Sequence, residues 1–142
     1  LLALQERVLA QCYDIREQDK KKSEDTLESQ LHIFFQQKKY LISKRREYDF
    51  AELDFLIQGK NDEEIHNRFV ESYERWRDDI REVIIRYCPG MDEETKEILP
   101  YIIVAMLQGA SLQTLVEKNG FDLEVFFATC ESMLLQYLKQ YL

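Results

Sequence analysis

The chain has 142 residues, 45% of them apolar and 32% charged, with a formal net charge of −8. This length fits one domain that can bury roughly 68–70% of its unfolded surface, so a real core is within reach. The acidic balance argues against nucleic-acid binding by this segment itself, because phosphate contact needs a basic face.

Four glycines and two prolines leave room for long helices, and no alternating run of β-branched residues argues for strands. Six helices are predicted, giving an all-α single domain over residues 1–142. The first runs from the start to about Gln18, with Leu4, Val8, Leu9, Cys12 and Ile15 on one face. No N-cap precedes Leu1 to Leu9, so this helix reads as one entered from an earlier segment. Lys20-Lys21-Lys22 suits its C-terminal dipole end. Ser23 is expected to cap the second helix, which carries Leu27, Leu31, Phe34, Phe35, Leu41 and Ile42 and ends near Lys44-Arg45-Arg46. A short third helix is expected from about Phe50 to Gln58, stopped by Gly59. Asn61 is expected to cap the fourth, with Glu64 at capping-box spacing; Cys88-Pro89-Gly90 ends it. Asp92 caps the fifth, which runs to about Lys118 and is kinked by Pro100. Asp122 caps the sixth, which continues to the C-terminus.

The last two helices carry more apolar surface than one small protomer can cover. A helix that is hydrophobic nearly all round must be buried on more than one side. Tyr101 to Leu115 and Phe126 to Leu138 are therefore expected to pair with the same helices of a second copy in a four-helix bundle. The expected seam is Met106, Gly109, Gln113, Phe127, Cys130, Leu134 and Tyr137. Glycine costs about 1 kcal/mol in a helix interior relative to alanine, so Gly109, in the small run Gly109-Ala110-Ser111, is expected at a close helix crossing.

Aromatic residues concentrate on the inward faces of the middle helices. Core packing accounts for any one of them, yet buried Trp and Tyr need partners for their polar handles, and an apolar chamber with a few convergent polar groups is the usual form of a ligand pocket. The expected ligand-binding residues are His32, Phe35, Gln36, Phe55, Tyr73, Trp76, Tyr101 and Met106. They predict a chamber between the second, fourth and fifth helices, opened near Tyr101 and Ile102 by the Pro100 bend.

Catalytic and metal motifs are poorly supported. Glu63-Glu64-Ile65-His66 has the Glu-x-x-His spacing of a helical di-iron site, but a second such motif is missing, since Ser29 stands three residues before His32. Asp78-Asp79-Ile80-Arg81-Glu82 is better read as i,i+3 and i,i+4 charge pairing with Arg75, Arg77 and Arg81. No nucleophile triad or phosphate loop is present in a usable context. No enzyme activity, metal or cofactor is expected. Cys12, Cys88 and Cys130, odd in number and set among apolar neighbours, read as reduced thiols. With no unbroken run of roughly 18 apolar residues and no signal peptide, a cytoplasmic protein with no membrane partner is expected.

The segment Ile102-Ile103-Val104-Ala105-Met106-Leu107-Gln108-Gly109-Ala110-Ser111-Leu112-Gln113-Thr114-Leu115, followed by Phe121-Asp122-Leu123-Glu124, resembles the C-terminal effector-binding and dimerisation domain of TetR/AcrR-type transcriptional regulators. In that family the penultimate helix commonly has an acidic or polar residue, then Gly, then small and apolar residues; Gln108-Gly109-Ala110 occupies those places. Tyr73-Glu74-Arg75-Trp76-Arg77 resembles the family's long middle helix, and Leu1 to Leu9 the helix that follows the DNA-binding headpiece. The resemblance implies a ligand-responsive repressor acting as a homodimer. Its effector would be small and apolar or amphipathic, and operator DNA would be reached only through an N-terminal helix-turn-helix headpiece outside these residues. It further implies that the effector sits between the first and fifth helices and biases the tilt of the first, moving half-site readers spaced about 34–36 Å apart. The competing reading is a helical homodimeric interaction module with a filled core. An upstream helix-turn-helix pattern separates the two.

Overall fold

A computed structural model describes residues 2–142. The side chains of Leu2, Leu4, Gln5, Val8 and Leu9 are not among those described, so the predicted face of Leu4, Val8 and Leu9 lies outside the described residues. The elements are α1 (Leu2–Lys22), α2 (Leu27–Lys44), α3 (Glu47–Gly59), α4 (Glu63–Tyr87), α5 (Glu93–Val116) and α6 (Leu123–Leu138), closed by a 3-10 turn at Lys139–Tyr141. Among the described residues there is no strand.

Capping chemistry sets most of the boundaries. Asp92 Oδ2 accepts from the Thr95 backbone N–H at 3.0 Å and from its hydroxyl at 2.8 Å. Asp122 Oδ1 accepts from the N–H groups of Glu124 and Val125, so both predicted acidic caps hold. Two caps differ from expectation by a few residues. Thr26, not Ser23, caps α2, accepting from Ser29 N–H at 3.1 Å; the Ser23 hydroxyl instead donates to the Asp19 carbonyl at 2.9 Å, and α1 continues through the lysine run. Asp62, not Asn61, caps α4 by accepting from Glu64 and Ile65 N–H. The third helix starts three residues early, at Glu47, behind Arg46, which makes no side-chain cap.

Helix α2 is the hub, packing against every other α-helix. Its Leu31, Phe34, Phe35 and Ile42 join Ile80 and Ile84 of α4, Ile103 and Leu107 of α5, and Phe127, Leu134 and Leu138 of α6 in one continuous core. The Phe35 and Phe127 rings meet edge to face at 5.5 Å, the preferred aromatic geometry. Each such side chain contributes about 1.5–3 kcal/mol when fully buried. Gly59 closes the α3–α4 hairpin. A Cβ there would stand 3.1 Å from His66 Cα and 3.2 Å from its nitrogen, so any larger residue would push the two helices apart by a few tenths of an ångström.

Helix α5 is divided lengthwise. Leu99, Ile103, Val104, Leu107, Ala110 and Thr114 face the core. On the opposite side Ile98, Ile102, Ala105, Leu112 and Val116 are exposed, with the half-buried Gly109 completing a four-three-four-three-four spacing. That is the seam pattern of a helix with a helical partner. The outward side of α6 adds Val125, Met133 and Tyr137.

Candidate functional site

A cleft of about 470 Å³ opens between α3, α4 and α5, within the size range of small-molecule pockets. Its two ends differ in chemistry because α4 runs antiparallel to both neighbours. Gly59 at the end of α3 touches His66 at the start of α4. Gln108 of α5 bonds Tyr73, and Arg77 stacks over Tyr101 with 4.2 Å between its guanidinium carbon and the ring centroid. Asp49, Glu52, Tyr73 and Gln108 therefore gather at one end, while Phe55, Leu56, Phe69, Val70, Leu112 and Leu115 line most of the rest and His66 stands at the Gly59 end.

The polar end is tightly connected. The Gln108 amide donates to Glu52 Oε2 at 2.8 Å and to the Tyr73 phenol oxygen. The buried Lys38 ammonium lies 3.4 Å from Asp49 Oδ1 and 4.0 Å from Glu52 Oε2. It also sits 5.7 Å from the Trp76 ring centroid, a cation–π distance. Two enclosed polar atoms are left over. Asp49 Oδ2 and Ser111 Oγ have no hydrogen-bond partner among the described residues, though Asp49 is only 3% exposed and Ser111 4%. An unmet buried polar group costs about 1–3 kcal/mol. Burial, and then the nearby Glu52 charge, push the Tyr73 phenol up to about 12, so it stays neutral and can donate.

A smaller cavity of about 60 Å³ lies behind this end, between α1, α2 and α4, and shares Glu52 and Tyr73 with the cleft. Its α1 wall is Cys12, Tyr13 and Arg16; Trp76 stands on the α4 side. Arg16 pairs with buried Asp79 at 3.4 Å; burial lowers its pKa and the Asp79 charge opposes that. The Gln37 amide donates to the Cys12 carbonyl at 2.8 Å. α1 is thus fastened to the layer that forms the cleft's polar end.

Of the eight residues expected to bind ligand, Phe55 and Tyr73 line the cleft, and Tyr73 and Trp76 line the smaller cavity. The other five lie elsewhere. His32 Nδ1 is 2.6 Å from Glu131 Oε1 and its Nε2 is 2.8 Å from Gln36 Nε2, a surface network joining α2 to α6. Phe35 is locked in the core against Phe127. Tyr101 is 54% exposed beneath Arg77, and Met106 packs partly buried against the core. The chamber expected between the second, fourth and fifth helices is a cleft between α3, α4 and α5, away from Tyr101 and Ile102, which face outward. The expected seam divides similarly. Gln113 and Tyr137 are exposed and Met106 and Gly109 half-buried. Phe127 is 3% exposed and, with Cys130 and Leu134, belongs to the protomer's own core, so these three turn away from the outward face of α6.

Asp49, Glu52, Lys38, Gln108 and Ser111 were not anticipated as site residues. Lys38 and Ser111 carried a legible signal: each is polar at a position in phase with apolar neighbours, Lys38 with Leu31, Phe34 and Phe35, and Ser111 with Leu107. The acidic pair considered for metal chemistry is occupied otherwise, Asp79 by Arg16 and Asp78 by Arg81 at 3.1 Å.

Residues 44–139 match the family profile described as BetI-type transcriptional repressor, C-terminal. No curated protein and no solved structure gives a significant match.

Proposed function

The chain belongs to the BetI-type repressor C-terminal family of TetR-type regulators, and on that premise we propose that it is the effector-binding and dimerisation part of a ligand-responsive repressor. The observation that carries this reading is the open cleft between α3, α4 and α5, apolar along its length and polar at one end. A filled core would have favoured a plain interaction module.

In this reading a small amphipathic effector enters the cleft and meets Glu52 and Tyr73. Both also line the cavity against α1, so a change in their positions bears on Lys38, Trp76 and the Cys12–Arg16 segment. α1 carries the headpiece that reads operator DNA, and its tilt sets the spacing of the two readers in the dimer. The effector acts only through differential affinity for the two tilts. The two copies join along the outward stripe of α5 (Ile98, Ile102, Ala105, Gly109, Leu112 and Val116) and along Val125, Met133 and Tyr137 of α6. Met106 and Gln113 flank the stripe; Phe127, Cys130 and Leu134 support it from within.

The test is a panel of apolar, anionic and cationic amphiphiles added to the full protein, read by melting temperature and by emission of Trp76, the sole tryptophan. At least one compound is expected to raise the melting temperature and change the emission together. A panel that moves neither contradicts an effector cleft.

A further inference from the structure

We propose that the polar end of the cleft receives the N–H groups of a protonated primary or secondary amine, whose apolar tail lies along Phe55, Phe69, Val70 and Leu115. This rests on the effector-cleft reading above and adds the chemical class of the ligand.

Charge and hydrogen-bond supply both point that way. Asp49 and Glu52 bring two carboxylates to this end, while among the described residues Lys38 is the one ammonium in contact with them, at 3.4 and 4.0 Å. Arg77, which lines the cleft, stacks over the Tyr101 ring. One carboxylate charge is left without a close counterion, and a desolvated site favours an opposite charge there. The side chain of Glu52 is 27% exposed against 2% for Asp49, so it is the more accessible of the two carboxylates.

Of the unmet groups one, a carboxylate oxygen, can only accept, and the other, a hydroxyl, can accept as well as donate. Asp49 Oδ2 lacks a donor, and Ser111 Oγ, on the facing helix, makes no bond among the described residues. An ammonium with two or three N–H groups supplies what is missing. A quaternary ammonium has the charge but no N–H, a carboxylate head repels Glu52, and an alcohol brings one donor without charge. The apolar remainder of the cleft requires a hydrocarbon or aromatic tail, which excludes a bare polyamine.

The experiment is calorimetric titration of the full protein near pH 7 with four probes of equal tail: octylamine, octyltrimethylammonium, octanoate and 1-octanol. Octylamine is expected to bind at least tenfold more tightly than the other three. Glu52→Gln, checked for an unchanged melting profile, is expected to abolish that advantage. Because the ranking is measured on the parent protein, it stands whether or not the variant folds. Equal binding of octyltrimethylammonium overturns the need for N–H donors. Tighter binding of octanoate or 1-octanol overturns the amine head and leaves the effector cleft standing. Binding of none of the four overturns the inference, and the cleft reading falls with it only if the wider panel is silent too.

Discussion

At Cys12, burial and then the Glu52 charge push the thiol up to about 11, and burial also raises Cys88 and Cys130. The thiolate is the reactive form, so all three should react slowly with iodoacetamide near pH 7.5 in the native protein and quickly in denaturant. Prompt labelling of any one in the native state contradicts this. The Asp92 cap gives a pH dependence of defined sign. Hydrogen bonds from Thr95 hold its carboxyl below the ordinary value of 3.8. Its contribution is therefore complete above that value and is lost as the pH falls through the lowered one. Asp92→Asn keeps an acceptor that does not titrate, so the melting temperature of the parent should fall more steeply than that of the variant below about pH 4. Gly109 sits at the centre of the outward stripe, and a Cβ there meets nothing within 4 Å in the protomer. Nothing inside the protomer demands glycine, and in the proposed dimer it is the partner helix that would crowd this position. Gly109→Leu should dissociate the dimer in gel filtration, whereas in a monomer any substitution with better helix propensity would stabilise α5 by up to about 1 kcal/mol.

At the scale of elements, apolar periodicity and acidic caps made the helices legible, and the shifts have local causes. Asn61 and Asp62 are adjacent cap formers, so the pattern located the start of α4 without choosing between them. Arg46 leaves no capping signature at the start of α3; its guanidinium instead donates to the Thr114 carbonyl, tying α3 to α5. The cleft was less legible because aromatic content marks cores and pockets alike. Phe34 and Phe35 lie at the middle of the α2 apolar face and fill the core, while the cleft falls at the margins, where Phe55 and Phe69 line its apolar length and Tyr73 meets Gln108. α6 separates core from seam in the same way. Phe127→Ala should cost about 3–5 kcal/mol in chemical denaturation, since it empties the core beside Phe35. Met133→Ser, on the outward face, should act mainly on association. Comparable unfolding losses for both in a monomeric background would contradict this division.

For the whole molecule, the acidic balance and six-helix order were readable from composition and pattern, whereas the outward stripe emerges only once the inner face of α5 is known. By length and composition α5 is also long and apolar enough to cross a membrane, although Gln108, Ser111, Gln113 and Thr114 interrupt its apolar run. Its packed inner face and four-three outer stripe suit a helix between its own core and a second protein helix. Obligate dimer interfaces often bury more than about 2,000 Å², and Leu112 both lies on the stripe and lines the cleft, which brings the proposed ligand site and the proposed seam together. The most direct measurement is the mass of residues 1–142 by light scattering at micromolar concentration, with Ile102→Asp alongside. The parent is predicted to scatter at twice the 17.1 kDa chain mass and the variant to be a helical monomer; a parent that scatters as a single 17.1 kDa chain would contradict the dimer and the seam on α5 together.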